Sequence, residues 1–229
     1  GDKVLTGNSC GGKYEKCIEP LQYLYSDRTL SAEIIPGKSV IGIAVDPENR
    51  LAVAIDYIMT TGWGGYGIDI PTLENTPSSG AGIYVRGERD SYLIRDGKAN
   101  TAKILAYGRS NGISYPAAEA AYNYQPGSCS SSSWCGRGNW YLPSNWQVFP
   151  YFDNRATIHL MLKAINKMPD DWWYTRNDFY TVTSNEINAK ESGFIYINTG
   201  GMAHGGKNLT EPDNLQTLVL PYITCLLYT

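Results

Sequence analysis

Charged residues are scarce in this sequence. Asp, Glu, Lys and Arg make up 18% of its 229 residues, the formal net charge is −3, and the basic residues form no run. Nucleic-acid binding depends on clustered Lys and Arg side chains, so this composition argues against a nucleic-acid partner. No apolar stretch approaches the roughly 20 residues that a membrane-spanning helix needs, and we predict no transmembrane segment.

Histidine and catalytic motifs are scarce as well. The chain has two histidines, His159 and His204, and it contains no CxxC or HExxH motif. Its acidic residues form no spaced cluster of the kind that holds calcium. We therefore predict neither a metal site nor a cofactor.

The five cysteines include two close pairs, Cys10 with Cys17 and Cys129 with Cys135, each in Gly- and Ser-rich sequence. Such pairs are typical of disulfides that close loops in an oxidising compartment. Metal binding is the alternative, although both histidines lie far from the pairs in sequence. Cys225 falls in an apolar run, which favours a small buried hydrophobic residue.

Tyrosine and glycine are abundant in the chain, with 18 and 24 residues respectively. Tyrosine-rich surfaces suit adaptable binding, because a tyrosine offers contact area and a hydroxyl at a small entropic cost. The alternative is that most of these tyrosines are half-buried strand residues.

Several apolar runs predict β-strands. Runs at 40–45 and 51–58 flank the turn-forming residues 46–50, which predicts a hairpin. Four further runs are typical of strands: 21–25, 179–183, 194–198 and 218–228. Pro221 lacks a backbone N–H, so the last strand should lie at a sheet edge or contain a bulge.

Helical signals occupy the middle of the chain. Residues 100–107 begin with a capping sequence and end at Gly108, and residues 115–124 carry a proline in their first turn, so we predict two short helices. Ser144 followed by Gln147 fits a capping box, which predicts the start of another helix. A proline about six residues into it removes a hydrogen bond, so this helix should be short or kinked.

The strongest helical pattern lies at 154–167. Asn154 can cap this helix, and apolar residues recur at helical spacing along it. The residues that should face the core are Ile158, Met161, Leu162, Ile165 and Met168. His159 lies off this stripe, and we predict that it is a surface or capping residue and not a ligand.

These motifs together resemble the bacterial DUF1566-type domains, which share a C-type-lectin-like fold with the fibrobacter-succinogenes major-domain proteins and the formylglycine-generating-enzyme group. The most specific part is the run Gly-Asn-Trp-Tyr-Leu-Pro-Ser at 138–144, between two helices. The segments 51–54 and 63–67 look like the leader of such proteins from gut Bacteroidetes. The chain departs from the family where it lacks a Trp at 180–184 and an Arg before Pro221.

The resemblance covers residues 40–229 and implies one α+β domain of C-type-lectin-like fold, with residues 1–39 as an N-terminal extension packed on it. Small antiparallel sheets would be flanked by short helices, and long loops would be displayed on one face. Many such domains are secreted or surface binding modules, and some are variable proteins of diversity-generating retroelements. We therefore expect an extracellular or outer-membrane location.

The first functional hypothesis is a non-catalytic module that binds a carbohydrate or a protein on a host or neighbouring cell. Aromatic side chains give rigid contact area, while Arg and Asn give directional hydrogen bonds. The predicted ligand-binding residues are Trp172, Trp173, Tyr174, Arg176, Asn177, Asp178, Tyr180, Asn185, Tyr196 and Asn198. The alternative for the two tryptophans is packing on the helix at 154–167.

Two other hypotheses stand beside it. One is a structural or adhesin subunit of a surface assembly, in which the final strand pairs with a partner. The other is an enzyme of the formylglycine-generating type, but that chemistry needs reactive cysteines, and Cys225 lies in an apolar run where a thiol is normally inert. Residues 170–171, with Glu186 and Glu191, could act as acid and base, although acids in loops are usually solvated.

Overall fold

The computed structural model describes residues 20–76, 96–168, 180–197, 200–208 and 217–225, and the backbone of 83–84. These residues form short helices and small antiparallel sheets. This arrangement confirms the α+β class predicted from the sequence.

Strands make up most of the described elements. In chain order they are β1 (Gln22–Tyr25), β2 (Leu30–Ser31), β3 (Val40–Asp46), β4 (Leu51–Ala54), β5 (Ile58–Thr60), β6 (Ile83–Tyr84), β7 (Trp140–Tyr141), β8 (Tyr180–Glu186), β9 (Glu191–Tyr196), β10 (Met202–Gly206), β11 (Thr217–Val219) and β12 (Tyr222–Thr224). The helices are α1 (Gly97–Asn111), α2 (Pro116–Asn123), α3 (Asn145–Asp153) and α4 (Arg155–Ala164).

The largest sheet brings early and late strands together. Its order is β2-β1-β3-β4-β12-β7, and its neighbouring strands are antiparallel. The predicted hairpin is confirmed as β3 and β4, which place Ile43 opposite Val53. Tyr222 of β12 lies opposite Val53 on the other side. Strands β1 and β2, which fall within the predicted extension 1–39, belong to this sheet.

Pro221 divides the predicted strand 218–228 into two. β11 precedes it and pairs with β5 in a two-stranded sheet, whereas β12 follows it in the large sheet. Proline has no N–H to donate to a ladder, so the chain changes sheets here instead of forming the predicted edge or bulge. The Pro221 carbonyl still accepts from the Ala54 N–H at 2.9 Å. Another sheet has the order β6-β10-β9-β8.

Helix α1 extends beyond its predicted bounds of 100–107. Asp96 caps its first turn by accepting a backbone N–H at 3.0 Å, and the C-cap is Gly112, with φ +65°. Gly108, which was predicted to end the helix, lies inside it. A Cβ at Gly108 would stand 2.6 Å from the Ile113 carbonyl oxygen, so this glycine lets the chain fold back against the helix.

The capping box of α3 is confirmed. Ser144 Oγ accepts from the Gln147 N–H at 3.3 Å, and Gln147 Oε1 accepts from the Ser144 N–H at 3.0 Å. Pro150 lies inside this nine-residue helix, which is short as predicted. Asn154 is the N-cap residue of α4 as predicted, but its side chain makes no cap bond and instead donates to the Pro150 carbonyl at 2.9 Å.

His159 is buried, which corrects its predicted surface position. Its exposed fraction is 6%, and its Nε2 lies 3.1 Å from the hydroxyl of Tyr151 on α3. Burial lowers the pKa of His159 to about 4, so the ring is neutral at pH 7. His159 lies on a face of α4 outside the apolar stripe, and helix α3 covers that face.

Two of the three hydrophobic clusters in the described residues pack helices against strands. One joins the large sheet to α3 and α4 and contains Tyr151 and Ile158, so the predicted core-facing stripe of α4 is confirmed. The other joins α1 and α2 to β8 and β9 and contains Trp63 and Tyr115. The second cluster positions the surface where α1 and α2 meet.

Cys129 and Cys135 form a disulfide, in agreement with the predicted pair. It closes a short loop between α2 and β7. Cys225 is a buried free thiol. Cys10 and Cys17 lie outside the described residues.

Candidate functional site

Most of the predicted ligand-binding residues lie outside the described segments. These residues are Trp172, Trp173, Tyr174, Arg176, Asn177, Asp178 and Asn198. Their ligand contacts stay a prediction. The structure describes the others, Tyr180 and Asn185 on β8 and Tyr196 on β9.

Asn185 is fully buried, so its side chain is not at the ligand-accessible surface. Its Oδ1 accepts from the Asn145 N–H at 2.8 Å, and its Nδ2 donates to Thr76 Oγ1 at 2.7 Å. A buried amide must find its hydrogen-bond partners inside the protein, and these bonds fasten β8 to the first turn of α3 and to Thr76. Asn185 is therefore a structural residue, which corrects its predicted role.

Tyr180 is also a core residue, with 8% of its surface exposed, and its predicted ligand contact is corrected for the same reason. Its ring centre lies 4.7 Å from that of Phe194 and 6.0 Å from that of Tyr196. Tyr196 is half-buried. Among the predicted residues that the structure describes, only Tyr196 keeps appreciable surface for a ligand.

A buried ion pair lies at the end of β8. Lys207 and Glu186 are both fully buried, and Lys207 Nζ lies 2.6 Å from Glu186 Oε2. The ammonium also donates to the Ile68 carbonyl at 2.7 Å, and the Ile70 N–H donates to both carboxylate oxygens at 3.2 Å. We call these four residues the buried clamp, because they tie the glycine-rich segment 62–70 to β8 and to the chain after β10.

Burial sets the charge state of the buried clamp. It raises the pKa of Glu186 to about 7, although the hydrogen bond and the charge of Lys207 act in the opposite direction. The ammonium also lies 5.1 Å from the ring centre of Trp63, which adds a cation–π contact. The carboxylate of Glu186 is thus committed to protein partners, which argues against its hypothesised role as a catalytic acid or base.

Glu191, the other candidate acid on these strands, has different partners. Its side chain is 32% exposed and contacts His204 Nδ1 through Oε2. Asn188 Nδ2 donates to its Oε1 at 2.9 Å, and this bond is the main cause of the lowered pKa of Glu191. Glu186 and Glu191 share no hydrogen bond in the described structure.

A pocket of about 440 Å³ opens where α1 ends and α2 begins. We call it the α1–α2 pocket. Its walls come from the last turns of α1, the connection between the helices and one face of α2. The volume lies within the roughly 300–1,000 Å³ that ligand pockets occupy.

The polar lining of the α1–α2 pocket contains one cation, one anion and one amide. Glu119 accepts from the Ser114 hydroxyl at 3.3 Å and from the Tyr115 N–H at 3.1 Å, which holds its carboxylate at the start of α2. The side chains of Arg109 and Asn123 are exposed. Within the described parts of the chain, neither has a hydrogen bond or an ion pair.

Tyr122 adds an aromatic wall to the α1–α2 pocket. Its side chain is 39% exposed. Its carbonyl accepts from the Gly138 N–H at 2.8 Å, and a Cβ at Gly138 would stand 3.4 Å from the Tyr122 hydroxyl. The segment that follows the disulfide loop therefore runs against this wall and supports it.

Tyr115 lines the inner side of the pocket and connects it to the buried clamp. It is 1% exposed, and its ring meets the ring of Trp63 edge-on at 5.7 Å between centres. The Gly65 backbone packs on it so closely that a Cβ there would stand 2.5 Å from the ring. The same core that holds the clamp therefore holds the inside of the pocket.

The sequence predicted helix α2 but not the pocket beside it. Tyr122 and Asn123 belong to no motif, so nothing local marks them as site residues. The signal that was present is Gly112 followed by Pro116, a pairing typical of one helix ending and the next beginning. Two helices joined so closely leave a cleft between them when their axes diverge.

Comparison with known proteins relates the fold to a fimbrial protein. No family model matches the chain, and no curated protein matches it. Among solved structures, a fimbrial protein from Bacteroides ovatus is similar, with a TM-score of 0.59 and 11% sequence identity. The similarity covers 91% of this chain and 49% of the other. The chain thus spans about half the length of that protein, and the likeness is one of fold.

None of the helices in the described residues has the length and apolar character needed to cross a membrane. The same residues contain no group of three or more His, Cys, Asp or Glu side chains placed to hold a metal ion.

Proposed function

We propose that this chain is a non-catalytic binding module displayed on a bacterial surface, where it contacts a carbohydrate or a protein of a host or neighbouring cell. The observation that carries the proposal is the fold similarity to a fimbrial protein over 91% of the chain. The α1–α2 pocket supports it, because polar groups without protein partners line a concave surface held by two helices. The location would be extracellular or at the outer membrane.

The proposed fold is the C-type-lectin-like fold of DUF1566-type domains. The run at 138–144 supports this assignment, since it forms β7 and leads into the capped start of α3. Strand β12 pairs with both β4 and β7, which ties that run to the hairpin. In this proposal residues 172–178 and Tyr196 would form a second contact surface.

Surface display is tested in the bacterium that makes the chain. Antibodies against the chain should label intact cells, and protease added outside those cells should remove the label. A chain that is labelled only after lysis would overturn the proposed location.

Binding is tested with the purified chain on arrays of glycans and host surface proteins. At least one ligand should bind. Removal of the ring in Trp173→Ala should weaken that binding if residues 172–178 contribute to it. A chain that binds neither array would overturn the binding function.

A structural subunit of a fimbria-like assembly is the second candidate. The observation in its favour is that the similar protein is itself fimbrial and that this chain spans about half of it. Material sheared from the cell surface should then contain the chain in regular polymers that resist dissociation. Recovery of the chain as single molecules would favour the binding module instead.

An enzyme of the formylglycine-generating type is the least favoured candidate. Cys225 is 1% exposed and is a free thiol, and a buried thiol in apolar surroundings is normally unreactive. Oxygen consumption with thiol-containing peptides would test this directly. Turnover that is abolished by Cys225→Ala, with the variant still folded, would reverse the order of the candidates.

A further inference from the structure

The walls of the α1–α2 pocket are positioned before any ligand arrives. Helix α1 ends in left-handed Gly112, and the Ile113 N–H returns to the Gly108 carbonyl at 2.9 Å. Pro116 then starts α2 within a few residues. A site built on fixed helices loses little conformational freedom on binding, so even a small ligand can be held there.

The charges that line the pocket cancel. Arg109 supplies one positive charge and Glu119 one negative charge, and the other lining residues are uncharged. A ligand of a single charge would meet repulsion as well as attraction. A neutral polar ligand avoids the repulsion and still uses both groups.

The hydrogen-bonding groups of the pocket include both donors and acceptors. The Arg109 guanidinium is a fork of donors, and the Asn123 amide both donates and accepts. The Glu119 carboxylate has about four acceptor positions, of which Ser114 and Tyr115 use only some. Sugar hydroxyls donate and accept at once, so they can satisfy all three groups.

An apolar face beside these groups narrows the ligand class further. The exposed Tyr122 ring offers a flat apolar surface next to the Asn123 amide. A pyranose ring likewise has both apolar and polar surface, with C–H groups on its faces and hydroxyls around its rim. We propose that the α1–α2 pocket binds one neutral pyranose unit of a glycan, packed on Tyr122 and hydrogen-bonded by Arg109, Asn123 and Glu119. The assignment rests on the proposed binding function and specifies its ligand class and its site.

The test uses the full chain and a panel of methyl glycosides in NMR titrations. The neutral members are glucosides, galactosides, mannosides, fucosides and N-acetylglucosaminides, and a methyl sialoside is the acidic member. At least one neutral glycoside should bind and shift the backbone amide signals of residues 108–123. Tyr122→Ala and Asn123→Ala should each weaken that binding about tenfold, which corresponds to about 1.4 kcal/mol.

Two further variants serve as controls. Tyr66 is 51% exposed and lies outside the pocket, so Tyr66→Ala should leave the affinity unchanged. Tyr122→Phe keeps the ring and should retain most of the affinity. Melting temperatures close to that of the parent chain would show that each variant is folded.

Three results would overturn the assignment: an unchanged affinity in both pocket variants, no glycoside-induced shift within 108–123, or a preference for the sialoside. The location of the chain is decided separately by surface labelling of intact cells. A glycoside bound in the pocket of a chain confined to the cytoplasm would support the site and reject the proposed surface role.

Discussion

The buried clamp and the α1–α2 pocket use similar side chains in opposite environments. In the clamp, Lys207 and Glu186 are fully buried and bonded to each other and to backbone groups. In the pocket, Arg109 and Asn123 are exposed and have no side-chain partner in the described structure. Residue type therefore does not separate groups that stabilise this fold from groups that are open to a ligand. Burial and partner geometry do.

The two regions are not independent of each other. Trp63 lies beside the Lys207 ammonium on one side and against Tyr115 on the other. Tyr115 in turn forms the inner side of the pocket. A change in the clamp should therefore reach the pocket through two rings, whereas a change at the pocket surface should leave the clamp intact.

Loss of the cation in the clamp should have the largest effect. Lys207→Met leaves the buried Glu186 carboxylate unpaired and the Ile68 carbonyl without its donor. At mildly alkaline pH we expect the free energy of unfolding to fall by about 3–5 kcal/mol. Urea denaturation followed by tryptophan fluorescence would measure it.

The exposed ion pair between Lys167 and Asp56 provides the matched control. Its atoms lie 2.9 Å apart, and its side chains are 40% and 45% exposed. Lys167→Met should cost no more than about 1 kcal/mol, because water screens such pairs. Equal losses in the two lysine variants would contradict the distinction drawn between buried and exposed charges.

The buried clamp should also make the stability of the chain depend on pH, and this effect should be the next largest. The pKa of Glu186 is about 7 in the folded chain, above its ordinary value of 4.5, so the folded chain holds this proton more tightly than the unfolded chain does. The resulting stabilisation is fully present below about pH 4.5 and is lost as the pH rises through about 7. The stability of the parent chain relative to Glu186→Gln should therefore fall by on the order of 2–3 kcal/mol across this window.

Urea titrations at several pH values would measure this difference. Buried His159 acts in the opposite sense, because its pKa is lowered from 6.5 to about 4 and its contribution is lost as the pH falls through that range. Both chains retain His159, so subtraction removes its effect. A difference that stays flat or rises with pH would contradict the assigned charge state of Glu186.

A substitution that strains the backbone at the rim of the pocket should have a smaller effect on stability. Gly112 has φ +65°, and a Cβ there would meet nothing within 4 Å. Gly112→Ala should thus lose about 1 kcal/mol in thermal unfolding through the left-handed backbone alone, and Gly112→Asn should lose less. Gly127 also has open space around it but no positive φ, so Gly127→Ala should be near neutral. Similar losses at both glycines would point to a cause other than backbone strain.

Substitution of an exposed pocket residue should have the smallest effect on stability. Asn123→Ala removes a side chain that has no partner in the described structure, so the free energy of unfolding should change by no more than about 0.5 kcal/mol. Asn185→Ala, by contrast, breaks buried bonds to Asn145 and Thr76 and should cost about 1–3 kcal/mol. Chemical denaturation of the two variants would compare them, and a large loss for Asn123→Ala would mean that this residue supports the fold.

Much of the fold was predictable wherever a signal and its partner are close in sequence. The capping box of Ser144 and Gln147 and the β3–β4 hairpin were found for that reason. Gly108 was misread as a helix end, because its role depends on the chain that returns against it at Ile113. His159 was misplaced because α3 covers its face of α4.

The candidate site was less predictable than the fold. Tyr180 and Asn185 of β8 were predicted to contact a ligand, yet every residue from Tyr180 to Glu186 is buried. Helices α1 and α3 and strand β11, which are far away in sequence, contact β8. The Asn185 amide is hydrogen-bonded to Asn145 of α3 and to Thr76. The open groups of the α1–α2 pocket lie instead on a helix whose sequence contains no binding motif.

By itself, the sequence determined where α2 and α3 start and where the first hairpin turns, because caps and turns are completed by atoms a few residues away. Only the tertiary structure decided that Glu186 meets Lys207 while Arg109 and Asn123 stay open. The reason is physical: an unpaired polar group is costly only where water cannot reach it, and access to water is set by segments that lie far apart along the chain.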